Sequence, residues 1–132
     1  MRIRVKTKKK LNKKLSVLRL KKEADRVFSL WIRARDNHIC FTCNRKLDPK
    51  QSQNGHYVSR SHNSLRYDER NCHVQCMACN VFKHGAMDVY ALKLIAKYGD
   101  NILIDLQREK NKVKQWTIKG LQELIERYTM YV

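Results

Sequence analysis

Two Cys-x-x-Cys pairs constrain this chain more than any other feature. Cys40-Phe-Thr-Cys43 and Cys76-Met-Ala-Cys79 stand 32 residues apart. A Cys-x-x-Cys turn offers two thiolates to one side of a metal, and two such turns complete a tetrahedral zinc site with bonds of about 2.3 Å. Four protein ligands leave no open position, so such a zinc is structural. It would clamp together the ends of the 44–75 segment, and in a small domain its binding energy is also folding energy. The rival reading of Cys-x-x-Cys is redox chemistry, but two pairs without a thioredoxin-like pattern argue against it. Cys72 fits neither turn and reads as a small buried residue.

At 132 residues the chain is long enough for one compact domain. It carries 29 Lys+Arg against 12 Asp+Glu, a formal net charge of +17. Four thiolates and one zinc ion would lower that by only two charges. A surplus this large attracts polyanions, with nucleic acid the common partner. Residues 1–35 concentrate it, with 14 Lys/Arg and only Glu23 and Asp25 against them. Residues 1–14 read as a flexible basic arm in which Lys8, Lys9 and Lys10 contact phosphates, and 15–132 as one zinc-containing domain with its core at 36–99. No apolar run is long enough to span a bilayer, and no signal-peptide core follows the basic start, so a cytoplasmic protein without a membrane partner is expected.

Residues 15–35 predict a helix whose apolar face is Leu15, Leu18, Ala24, Val27, Phe28, Trp31 and Ile32. From Asp36 to Asn80 the composition shifts to Cys, His, Asn and Gly. Short extended pieces are expected at Gly55–Ser59 and Cys72–Gln75, joined by a polar loop, Arg60–Arg70. A helix should open near the second cysteine pair and break near Gly85. Residues 88–98 predict a helix from an Asp88 cap to Gly99, residues 101–114 another, and a last one capped by Thr117.

Inside the staple lie Gly55-His56-Tyr57-Val58-Ser59-Arg60 and Asn71-Cys72-His73-Val74-Gln75-Cys76, and Asn80 follows the last cysteine. A lone histidine on a strand is usually a satisfied polar residue. The combination of His56, an Asn five residues before the second Cys pair and an Asn directly after it is harder to dismiss. With the first Cys pair, LRYDERN and the downstream Tyr90, Leu94 and Tyr98-Gly99, the pattern resembles the NinG (Rap) recombination proteins of lambdoid phages, within the His-Asn-His (ββα-metal) endonucleases.

That resemblance implies an α+β fold: a small zinc-stapled ββα-metal core flanked by an N-terminal helix and C-terminal helices. It also implies roles. His56 matches the general base, Asn71 the asparagine that orients the hairpin, and Asn80 a residue that ligates a catalytic Mg²⁺ or Mn²⁺. Lys83 falls where many such proteins carry a lysine. Many relatives hold a metal-binding Asp or His just before the base, where this chain has Gly55. His73, two residues from Asn71 on the strand, is the first candidate replacement and Asp68 the second. Arg60 and Arg66 are expected to clamp flanking phosphates. The implied activity is hydrolysis of branched DNA (Holliday junctions and D-loops) in the host-cell cytoplasm, by a homodimer if both strands are to be cut. The competing expectations are a non-catalytic zinc-ribbon DNA-binding module and an endonuclease acting on linear duplexes.

Overall fold

The computed structural model describes residues 2–130, with side chains described from residue 8 onward. Its first element, α1 (Arg2–Arg35), is a 34-residue helix. No Gly or Pro interrupts residues 2–35, so nothing in the sequence breaks the ladder. The stretch expected as a flexible arm is thus helical, and residues 8–15 are exposed along its described part. The predicted apolar stripe is buried only in its second half. Ala24, Val27, Phe28 and Ile32 are core residues, whereas Leu15 and Leu18 remain 45% and 52% exposed, because no described element covers them. Asn37 and His38 take positive φ and end the helix.

Strands β1 (Gln53–His56) and β2 (Cys72–Gln75) pair antiparallel, with Gly55 opposite His73 and His56 opposite Cys72. β1 lies two to three residues earlier than its sequence suggested. The shift has a local cause. Asn71 caps the hairpin beyond His56: its Oδ1 accepts from Val58 N at 2.8 Å, and its Nδ2 donates to Val58 O at 2.9 Å and Leu65 O at 3.2 Å. Val58 is thereby bonded to a side chain, and the ladder stops before it.

A wide helical turn at Ala78–Phe82 follows the second cysteine pair, and the chain turns away at Gly85, whose φ is 90°. Then come α2 (Met87–Tyr98), α3 (Ile102–Lys110) and α4 (Ile118–Thr129). Thr117 caps α4 as predicted, accepting from Gly120 N. Asp88 lies in the first turn of α2, and Ala86 occupies the cap. α3 ends four residues early. The chain after it becomes a strap: Trp116 Nε1 donates to Asn63 O at 3.1 Å, and Asn63 Nδ2 donates to Lys114 O at 3.1 Å.

Two apolar clusters sandwich the hairpin. One joins α1, α4 and the Cys72/Val74 side of β2, and the other joins α2, α3 and Leu65. The result is an α+β protein with a two-stranded sheet. Among the described residues, no helix is long and apolar enough to cross a membrane.

Candidate functional site

The two Cys-x-x-Cys turns meet. The sulfurs of Cys40, Cys43, Cys76 and Cys79 all lie within 4.8 Å of one another, a spacing that can hold a metal ion such as zinc. The first turn is shaped by Asn44, at φ 64°, whose N–H reaches back to Cys40 O at 2.8 Å. Backbone amides are aimed at sulfur: Cys76 N donates to Cys40 Sγ and Cys79 N to Cys76 Sγ, each at 3.4 Å. Burial alone would raise the Cys40 thiol. Hydrogen bonds from Thr42 and from the backbone of Cys76 outweigh it and bring the group down to about 6. Burial, with the neighbouring Cys76 and Cys40 sulfurs, pushes Cys79 up to about 12. Four thiols crowded together resist ionising together, and a central divalent cation turns that repulsion into attraction. Cys72 is fully buried apart from the cluster, opposite His56 in the ladder.

A second site opens between α1 and the hairpin, as a cavity of about 560 Å³. Asp25, Ser29 and Arg33 of α1 form one wall, Asn54 and His56 of β1 another, and Arg60, Arg66 and Asn80 close the rim. His56 Nε2 lies 2.9 Å from Arg66 O. A carbonyl only accepts, so Nε2 carries the proton, and Nδ1 is the nitrogen able to receive one. Burial lowers the pKa of His56, Arg60 and Arg66 lower it further, and the bond to Arg66 O and the charge of Asp25 act against them. The ring is therefore neutral at pH 7. Asn80 Nδ2 donates to Gln53 Oε1 at 2.9 Å, which fixes the amide plane. Asn54 Oδ1 is buried without a hydrogen-bond partner.

Of the residues singled out from sequence, His56, Asn80, Arg60 and Arg66 share this cavity, and Asn71 stands behind it as the clasp of the hairpin. Four expectations are corrected. His73 is not at the cavity: it is fully buried on the opposite face of the sheet. Its ring stacks on Phe41 at 4.1 Å, and its two nitrogens meet Tyr90 Oη at 3.1 Å and Tyr98 Oη at 2.9 Å. Burial first, and Arg35 second, drive its pKa down to about 3. Period-two reasoning put it beside Asn71, but the histidine it had to reach, His56, points to the other face. Arg66 is not free to clamp phosphate: its Nε and Nη2 bind both oxygens of Asp25 at 2.8 and 2.5 Å. Lys83 is exposed beside the cysteine cluster rather than in the cavity. Asp68, the second replacement candidate, is tied to Arg70 and lies outside the cavity.

Gly55 has a packing reason. A Cβ there would fall 2.1 Å from Gln75 Oε1. The Gln75 side chain fills that place while donating to Thr42 Oγ1 and Gly85 O. A metal-binding side chain at 55 would have to displace it and would project away from His56. Arg33, Asp25 and Asn54 are cavity residues that the motifs did not reveal. Asp25, Ser29 and Arg33 recur every four residues and so share one face of α1, and that spacing was the available signal.

Relatives of the chain are found among phage proteins. The family model for the bacteriophage lambda NinG protein matches residues 1–132. Protein ninG of Escherichia phage 933W is 31% identical over 109 residues, covering 81% of this chain and 53% of the relative. Protein ninG of Escherichia phage lambda is likewise 31% identical over 109 residues, 81% of this chain and 52% of the relative. That of Enterobacteria phage H19B is 32% identical over 99 residues, 74% of this chain and 49% of the relative. The chain belongs to the NinG family of phage proteins, and it spans about half the length of the curated relatives it matches. No solved structure matches it.

Proposed function

We propose that this chain is a metal-dependent DNA endonuclease of the His-Asn-His type, acting on branched recombination intermediates in the host-cell cytoplasm. The observation that carries the reading is the state of His56: a neutral ring on a basic cavity wall, held by Arg66 O so that Nδ1 is left to accept a proton. In the reaction, Nδ1 takes a proton from the attacking water as its oxygen bonds to phosphorus. The P–O3′ bond breaks, and the departing 3′ oxygen takes a proton from solvent water, leaving a 5′-phosphate and a 3′-hydroxyl. Asn71 keeps the hairpin closed around the base, and the four cysteines hold a structural zinc that fixes both ends of the hairpin.

The cavity's donors suit a hard ion. Asn80 and Asn54 line it with side-chain amides, and Asn54 Oδ1 is buried beside it without a hydrogen-bond partner. Mg²⁺ or Mn²⁺ takes oxygen ligands and keeps several waters, so a sparse protein set suffices. Such an ion would neutralise the phosphate and stabilise the leaving oxygen. The exposed start of α1, with Lys8, Lys9 and Lys10, adds phosphate contacts along a DNA arm: 21 residues separate Lys8 from Ser29, or about 30 Å of helix. The absence of a base-reading motif fits recognition by shape and backbone.

The test is cleavage of a four-way junction and of its linear arms, with Mg²⁺, Mn²⁺ or EDTA. Metal-dependent cutting that favours the junction is expected. Equal cutting of the arms would indicate a duplex endonuclease. Tight binding with no cutting under any metal would indicate a zinc-ribbon binding module.

A further inference from the structure

Three guanidiniums face the cavity, and the structure does not use them alike. Arg66 is committed to Asp25 through a two-pronged ion pair, which Tyr67 Oη joins by donating to Asp25 Oδ1 at 2.9 Å. This arrangement ties α1 to the loop whose carbonyl holds His56. Arg60 is 65% exposed and 4.0 Å from the same carboxylate. Arg33 is different. It is half-buried on the α1 wall, and its contacts are two long hydrogen bonds to neutral carbonyls, Ser29 O at 3.3 Å and Ser52 O at 3.4 Å. Among the described residues no carboxylate lies within ion-pair distance of it. Asp25, the sole acid on the cavity wall, is already taken.

A half-buried guanidinium with no counter-charge, facing an open cavity, is costly unless an anion completes it. Arginine's planar fork suits a phosphate better than any other side chain. We infer that Arg33 is the phosphate-binding residue of this cavity, holding a backbone phosphodiester of the bound strand beside His56, while Asp25 reserves Arg66 for the fold. This rests on the nucleic-acid reading above. It assigns the clamp to a residue of α1 rather than to the hairpin loop. The rigid helix that carries Arg33 also carries the basic start of the chain, so one element would set strand position at the cavity and along the arm.

The experiment is a binding cycle run in EDTA, so that no cutting is required. Wild type, Arg33→Gln and Arg33→Lys are titrated against four-way junctions carrying a single neutral methylphosphonate at successive positions near the branch. Arg33→Gln should retain its zinc and its thermal midpoint within a few degrees, since only two long hydrogen bonds are altered. It should bind the unmodified junction about tenfold more weakly, with a salt slope shallower by about one. At one or two positions the neutral linkage should weaken wild type about tenfold and leave Arg33→Gln unaffected, with Arg33→Lys between them. Equal losses for wild type and Arg33→Gln at every position would overturn the assignment. So would an unchanged salt slope. Because binding is the readout, a chain that never cuts DNA still reports on Arg33, and a cutting chain with an inert Arg33 leaves the nuclease reading standing.

Discussion

Tyr90→Phe removes one oxygen from the centre of the protein, and its consequences can be worked through atom by atom. Tyr90 Oη donates to Gly55 O at 2.8 Å and therefore accepts from His73 Nδ1–H at 3.1 Å. His73 Nε2, left with its lone pair, accepts from Tyr98 Oη at 2.9 Å. Tyr90 and His73 are fully buried, and Gly55 is buried with them. The substitution leaves the buried His73 ring N–H without a partner, at about 1–3 kcal/mol for an orphaned group, while Gly55 O, opposite His73 in the ladder, keeps its backbone bond. Phenylalanine keeps the ring and its packing on Phe41 and Tyr57, so the net loss should be about 1–3 kcal/mol. For a domain of this size that moves the urea midpoint by about 0.5–1.5 M. The assay is urea unfolding with zinc in excess, paired with ¹⁵N NMR of His73, which should show the Nδ1–H tautomer in wild type. A loss below about 0.5 kcal/mol, the low end for a single hydrogen bond, would refute the network. A Tyr90→Phe protein of normal stability but with weakened Mn²⁺ binding would refute the structural role given to His73 and restore it as a ligand.

Other perturbations report on separate parts of the molecule. Stripping zinc with a chelator, or replacing Cys76 by Ala, should unfold the domain as followed by circular dichroism, because the cluster joins the hairpin ends that the apolar core alone spans poorly; a stable metal-free fold would contradict this. Acid should destabilise wild type through His73. Its folded pKa, about 3, lies below the unfolded value of 6.5, so the unfolded chain binds the proton first and stability falls as pH drops from 6.5 toward 3. Between pH 6.5 and 5 that amounts to about 2 kcal/mol, read as the extra loss of wild type over His73→Gln in urea unfolding. Replacing Lys8, Lys9 and Lys10 together by Gln should leave the thermal midpoint unchanged and make the salt dependence of DNA binding shallower by about two to three in slope. An unaltered slope would remove the start of α1 from the interface.

How far the sequence could be read follows from the range of the interactions involved. The cysteine cluster was legible because four ligands at fixed spacing admit few geometries. Thr117 and Gly99 were legible because caps act within one turn. The β1 boundary was not, since it depends on an Asn71 side chain bonding Val58 from 13 residues away. His73 and Arg66 misled for the same reason. Each looks like a free ligand in sequence, and each is taken by partners distant in the chain, Tyr90 and Tyr98 for one and Asp25 for the other. Arg33 shows the converse. In sequence it is one basic residue among the 14 of residues 1–35, and only the approach of the hairpin makes its face of α1 a cavity wall.

The central claim, that His56 is the base of a metal-dependent nuclease, is tested most directly by His56→Ala assayed on a four-way junction with Mg²⁺ or Mn²⁺. The side chain's main bond is to Arg66 O, so the protein should fold, keep its zinc and bind the junction as wild type does. Cleavage should fall by about a hundredfold or more, the usual worth of a general base. Cleavage at the wild-type rate by a folded His56→Ala protein would contradict the account.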